Sequence, residues 1–302
     1  MKKKRRNIFS YMILSVWSLI IIGILGWVLM SSFKTNLEIY QTPWAMPAKA
    51  TLENYHSAWS TMKMSSYFMN SVVIVFASIL GCTVISALTS FALTRYEFKG
   101  RKALLNLLIF SMSVPSQLLL IPLYDQLLNL GLVNTRTGLI LIYIALYFPF
   151  SLFVLTGFFR TLPKELEESA IIDGCGEFRM FARIMLPLVQ PGLICISVFN
   201  FVSIWNEYML ALVFASKQNL RTISLGMYAL KDSMMYTSNW GGLFAAIVIM
   251  LIPTIIIFLT LQKYVIQGLT FCRSASATVP RRRSCSTSTT SAPASTSTPA
   301  RS

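Results

Sequence analysis

TLPKELEESAIIDGCGEFRMFARIMLPLVQPG, residues 161–192, is the only long polar interruption between strongly apolar segments that carries dense charge, and it holds five of the chain's eleven acidic residues. Two short helices can be read from it. Pro163 suits a first helical turn, where a missing N–H is not needed, and Glu165, Glu167 and Glu168 follow where the helix dipole favours negative charge. Leu162, Leu166 and Ala170 recur at helical spacing beneath that acidic face. Asp173-Gly174 predicts the stop, because glycine takes the left-handed conformation that helix ends commonly need. Glu177 opens a second helix with Phe178, Phe181, Ala182 and Met185 on one side and Arg179 and Arg183 on another. Pro187 is expected to push Leu186 out of the helical region and end that helix. A soluble partner is expected to engage here, on a helix, a glycine turn and a second helix set between apolar flanks.

The flanks decide the environment. At 55% hydrophobic and 12% charged, the 302-residue chain has about half the charged fraction of a soluble domain, which places it in the membrane class. Six runs approach the ~20 apolar residues a helical span requires, at 8–30, 68–94, 103–125, 138–160, 189–214 and 242–262. The net charge of +15 does not signal nucleic acid, because basic residues cluster at the ends of apolar runs instead of forming one face. With the N-terminus inside, the inner segments hold Lys2, Lys3, Lys4, Arg5, Arg6, Arg95, Lys99, Arg101, Lys102, Arg160, Lys164, Arg179, Arg183 and Lys263. The outer ones hold Lys34, Lys49, Lys63, Arg136, Lys217, Arg221 and Lys231. That excess puts residues 161–187 and both termini in the cytoplasm. Ile8 to Met30 is too long for a signal-peptide core and lacks a small-x-small site at its end, so it reads as an uncleaved anchor.

Glu168-Ser169-Ala170, then Gly174, Ile184, Leu186 and Pro187, resemble the EAA motif of the integral-membrane subunits of binding-protein-dependent ATP-binding-cassette (ABC) importers. The spacing from glycine to isoleucine is the family's, and Ser169 stands where alanine is usual. LENYHSAW (52–59), SVVIVFASILGCTVISALTSFALTRY (71–96), DGCGEFRMFARIMLPLVQPG (173–192) and FNFVSIWNEYMLALVF (199–214) extend the resemblance over about residues 8–270, toward MalG-type sugar permeases. The resemblance implies an all-α, polytopic membrane protein with six transmembrane helices and a cytoplasmic coupling-helix loop at 161–188. It implies a second permease subunit as heterodimer partner, two ATPase subunits and an extracytoplasmic solute-binding protein, assembled in the lipid bilayer of a bacterial cytoplasmic membrane. For ATPase coupling it implies Glu165, Glu168, Ser169, Ala170, Asp173, Gly174, Ile184, Leu186 and Pro187.

Outward from the loop, the spans carry their own signals. Ser78, Cys82, Ser86 and Ser90 recur every fourth residue with Ala77 and Gly81 beside them, which predicts a helix–helix contact face. Pro115 and Pro122, with Ser113, Ser116 and Gln117 around them, predict a kinked third span that partly lines the pathway. Asn200, Asn206 and Glu207 join Pro115 and Gln117 as pathway candidates. An ionisable group at membrane depth is a functional candidate by default, and for Glu207 a helix end or break stands as an equal reading. Outside, residues 31–67 hold Trp44, Tyr55 and Trp59, suited to a membrane-surface belt, and His56, read as structural. Residues 1–7 form a basic N-terminus. Gly268-Leu269-Thr270 begins the family's usual ending, after which residues 271–302 become a basic Ser/Thr/Pro-rich tail too poor in apolar residues to fold.

No G-x-x-x-x-G-K-[ST] loop occurs, and Gly174-Cys175-Gly176 lacks the preceding strand a dinucleotide site needs. One histidine and five cysteines without a C-x-x-C pair supply neither a catalytic set nor a metal site. The expectation is a transport subunit with no cofactor, forming half of a pathway for a sugar or oligosaccharide. The alternatives are a permease for a non-sugar solute, or an ion-coupled carrier, against which stands the scarcity of ionisable groups within the spans: only Asp125 and Glu207 come near.

Overall fold

The computed structural model describes residues 2–277. Its elements are α1 (Lys2–Ser31), α2 (Asn36–Gln41), α3 (Glu53–His56), α4 (Met64–Arg95), α5 (Arg101–Ser111), α6 (Leu120–Asn129), α7 (Arg136–Thr161), α8 (Glu165–Ile172), α9 (Glu177–Met180), α10 (Leu186–Leu188), α11 (Gln190–Asn206), α12 (Met209–Phe214), α13 (Ile223–Thr237) and α14 (Trp240–Ala277). Five-residue π-helical turns occupy Ser57–Thr61 and Phe181–Met185. Among the described residues there is no strand, and the protein is an all-α, polytopic membrane fold.

Four helices, α1, α4, α7 and α14, are long and apolar enough to cross a membrane alone, and counting each of two bent pairs as one span gives six. The first pair joins α5 to residues 116–129 at 97°. Alone, the eleven residues of α5 span only about 16 Å, half a bilayer core. The pair nevertheless crosses. At one end Arg101 Nη2 donates to Thr94 O (3.3 Å) beside the finish of α4; at the other, Asn134 N–H donates to Phe214 O (2.8 Å) and Arg136 Nη2 to Asn70 Oδ1 (2.8 Å) near the start of α4. The break is at Pro115, which is extended (φ −60°, ψ 128°), so the kink foreseen for this span is a full interruption.

The centre is the seam of α4, α7 and α11. Ser78, Cys82, Ser86 and Ser90 are all buried, and small side chains at that spacing let helices approach closely where lipid offers no hydrophobic drive. Ser90 Oγ donates to Leu152 O (3.2 Å), Cys82 Sγ to Ser151 Oγ (3.4 Å), and Asn200 Nδ2 to Ser151 Oγ (2.9 Å). Below the seam a second cluster gathers Phe91, Phe159, Ala170, Phe181 and Met185.

Three expectations need correction. Pro187 does not end its helix: Leu186 is helical (φ −61°, ψ −45°) and the turn runs on through Leu188. The π turn before it closes with Leu186 N–H donating to Phe181 O, and this wider turn relieves the clash a proline makes with the carbonyl four residues back. The chain bends instead at Val189 (φ −91°, ψ 9°), turning 73° into α11. Phe178 does not share the buried side of Phe181 and Met185; Met180 takes that place. The fifth span does not run unbroken to 214 but stops at Asn206, with Glu207 extended (φ −74°, ψ 128°) before α12 begins. At the C-terminus α14 extends to Ala277, and residues 278–302, most of the expected tail, lie outside the described residues.

Candidate functional site

Residues 161–189 connect α7 to α11 through α8, α9 and α10. Acidic Glu165, Glu167 and Glu168 occupy the first turn of α8, which has no side-chain cap, so their charges oppose the exposed N–H ends through the dipole. Its far end closes in a Schellman motif: Cys175 N–H donates to Ala170 O (2.9 Å) and Gly174 N–H to Ile171 O (3.0 Å), with Gly174 at φ +73°. A side chain at Gly174 would meet open space, so the glycine is there for its backbone and not for close packing.

The loop has two faces. The outer one exposes Glu165, Glu168, Ser169, Asp173, Gly174 and Pro187, together with Ile172 (85% exposed) and Phe178 (78%). Large apolar side chains left this bare among carboxylates are what a docking surface looks like. The inner face is Ala170, fully packed against the aromatic cluster, and Glu167, three residues earlier on the same side. Ile184 and Leu186 are half-buried on the second helix, against the same cluster.

Glu167 meets the last residue of α4. Arg95 Nε lies 2.6 Å from Glu167 Oε1, their side chains only 6% and 17% exposed. Arg95 Nη2 also donates to Phe159 O (3.1 Å) and Leu162 O (3.2 Å), capping the carbonyls where α7 ends. The next residue, Tyr96, lies beside Glu177 of α9; desolvation, and then the neighbouring Glu177 carboxylate, push its hydroxyl above the usual phenol range. Sequence reasoning had used Glu167 for the helix dipole and Arg95 for orientation only. The available signal was the register, which puts Glu167 on the Ala170 side.

A cavity of about 690 Å³ opens where two helix breaks, at Pro115 to Gln117 and at Glu207, meet the unbroken α7 at Pro149. Tyr147 and Ser111 also line it. Of the five pathway candidates, Pro115, Gln117 and Glu207 come together here. Asn200 does not: it is fully buried in the seam. Asn206 faces a separate cavity with Tyr208 and Tyr228, its Nδ2 donating to Val202 O (2.8 Å). Glu207 resolves toward the helix-break reading. Its Oε1 accepts from Leu210 N–H (2.7 Å), and its Oε2 from Ala211 N–H (3.2 Å) and Tyr143 OH (2.8 Å). One carboxylate thus satisfies the free N–H groups of a half-helix inside the membrane. Among the described residues no group of three His, Cys, Asp or Glu side chains is placed to hold a metal.

The chain matches the family described as binding-protein-dependent transport system inner membrane component over residues 81–271. It is similar to the diacetylchitobiose uptake system permease protein NgcG of Streptomyces coelicolor, 38% identical over 260 residues covering 86% of each chain. It is 35% identical over 231 residues to the melibiose/raffinose/stachyose import permease protein MelC of Bacillus subtilis, covering 76% of this chain and 83% of that protein. With the trehalose/maltose transport system permease protein MalG of Thermococcus litoralis it shares 36% over 247 residues, covering 81% and 88%. In fold it is similar to a chain of a bacterial ABC transporter involved in the import of the acidic polysaccharide alginate, with a TM-score of 0.77, 18% identity, and coverage of 87% and 98%.

Proposed function

The chain belongs to the binding-protein-dependent transport system inner membrane components, and from that premise we propose that it forms half of an ABC importer's translocation pathway for an oligosaccharide. A second, different permease subunit completes the pathway, an extracytoplasmic binding protein delivers the solute, and two separate ATPase subunits hydrolyse ATP. Residues 8–270 are the permease unit, with both termini and residues 161–188 in the cytoplasm of a bacterial cell. The basic residues concentrated on that side support this orientation.

The observation that carries the reading is the outer face of α8 and α9. Carboxylates of Glu165 and Glu168, the bare side chains of Ile172 and Phe178, and a rigid glycine turn between them make a mixed apolar and acidic ridge. It fits a groove on a soluble motor. The sugar assignment rests on relatives whose names specify diacetylchitobiose, melibiose and maltose, and on a cavity within the size range of small-molecule sites, lined by Gln117, Ser116 and Tyr147 with Pro115 and Glu207 shaping it.

The test is Ile172→Glu. Ile172 is 85% exposed, so the substitution should leave the amount of folded protein in the membrane unchanged. Co-purification of an ATP-hydrolysing subunit through a tag on this chain should fall at least tenfold. Wild-type recovery of that subunit with Ile172→Glu would overturn the docking assignment.

A further inference from the structure

We propose that Arg95 and Glu167 form the link through which movement of the docked loop enters the membrane helices. The inference rests on the docking reading above and goes beyond it, because neither side chain lies on the docking face. The inner face of α8 offers the bundle two anchors, the small side chain of Ala170 and the carboxylate of Glu167. An alanine can slide against an aromatic wall with little change in contact. A carboxylate 2.6 Å from a buried guanidinium cannot move away without separating two charges that water screens only weakly.

What Glu167 holds is not one helix but two. Arg95 is the final residue of α4, and its Nη2 reaches the carbonyls of Phe159 and Leu162 that terminate α7. A single guanidinium therefore ties α8 to the ends of the two helices that share the most intimate seam in the molecule. Tyr96, the extended residue that caps α4, lies beside Glu177 beyond the Gly174 turn, so two adjacent residues at the end of α4 meet both limbs of the loop. From there the seam bonds of Cys82, Ser151 and Asn200 carry the displacement to α11, whose broken end at Glu207 borders the cavity. Coupling in this sense is a free-energy difference between two arrangements, and a stiff link is what lets docking at one end bias the cavity at the other.

The experiment uses the importer purified through this chain and reconstituted in lipid vesicles with its binding protein. Uptake is read with whichever of labelled diacetylchitobiose, melibiose or maltose the wild-type complex carries best, and ATP hydrolysis is measured in parallel. Glu167→Gln is isosteric and should leave complex assembly and captured ATPase at wild-type levels. Solute moved per ATP hydrolysed should fall at least tenfold. Arg95→Met should do the same, and the double variant should be no worse than Arg95→Met within a factor of two, as expected for partners in one interaction. A merely structural pair would lower protein yield or thermal midpoint and leave the transport-to-hydrolysis ratio within twofold of wild type, which overturns the proposal. So would singles whose effects multiply in the double variant. Loss of the ATPase subunit from Glu167→Gln would move Glu167 to the docking face and also overturn it. Failure of Ile172→Glu to release the ATPase, by contrast, sinks the docking reading itself and this inference with it.

Discussion

Where α4 meets α7 and α11, every fourth side chain of α4 is small and buried, and three hydroxyl or thiol groups and an amide bridge the helices. Where α5 meets the rest of the bundle, nothing of the kind exists: none of its residues is buried, and Leu107 and Phe110 stand 66% and 69% exposed. Both stretches are apolar at first sight. The difference lies in side-chain size at the contact, because lipid solvates leucine as well as another helix does, and only backbones brought close by serine, glycine or alanine gain from packing. The seam is therefore the stiff half of the molecule. The α5–α6 span, broken at Pro115 and tied at its two ends, is the half that leaves room for a cavity.

The contrast is broken most directly at Gly192. A Cβ there would come within 2.6 Å of the Phe158 ring, itself buried between α7 and α11, so Gly192→Leu overpacks the seam. The expected cost is about 1–3 kcal/mol, at the upper end because the ring is enclosed, read as a lowered thermal midpoint of the detergent-solubilised protein. Leu107→Ala in α5 should shift the midpoint very little, since no core is vacated. Equal shifts for the two would erase the distinction between the halves.

Glu207 stands where the halves meet, and Glu207→Gln sharpens the comparison. The variant keeps one carbonyl acceptor but loses the charge that serves Leu210 N–H, Ala211 N–H and Tyr143 OH together. Charge-assisted hydrogen bonds contribute about 1.5–3 kcal/mol against about 0.5–1.5 for neutral ones, so a loss of roughly 1 kcal/mol is expected. Hydrogen exchange should show it locally, as faster exchange at Leu210 and Ala211 with little change in the seam. Uniform loosening would mean that α12 is held by the seam and not by its carboxylate.

Much of this contrast was legible in the chain. Serines and a cysteine at four-residue intervals announced the seam, Pro115 and Pro122 announced a kink that proved to be a full break at Pro115, and Asp173-Gly174 announced the turn of the loop, because each depends on local spacing or on one residue's backbone. What escaped the sequence depends on distant partners or on register. Arg95 and Glu167 lie far apart along the chain and each had a sufficient local explanation. Pro187 reads as a helix stop unless the wide turn at Phe181–Met185 is known, and that turn shifts Phe178 outward and Met180 inward. Asn200 and Asn206 are both amides on one apolar helix, and nothing in composition says which faces a cavity and which a neighbouring helix.

Asn200 gives the smallest effect and the finest test of what holds the seam. Its Nδ2 donates to Ser151 Oγ at 2.9 Å, while its Oδ1 is buried with no hydrogen-bond partner among the described residues. Interhelical hydrogen bonds in membranes are worth about 0.6 kcal/mol on average and at most about 1.7. A buried unsatisfied acceptor costs about 1–3 kcal/mol, and Asn200→Leu removes both the bond and the penalty. The penalty removed is the larger of the two, so the thermal midpoint should hold level or rise by the equivalent of about 1 kcal/mol. A fall comparable to that of Gly192→Leu would show that polar bonds and not close approach hold α4, α7 and α11 together. The stiffness attributed to small residues would then belong to the amide.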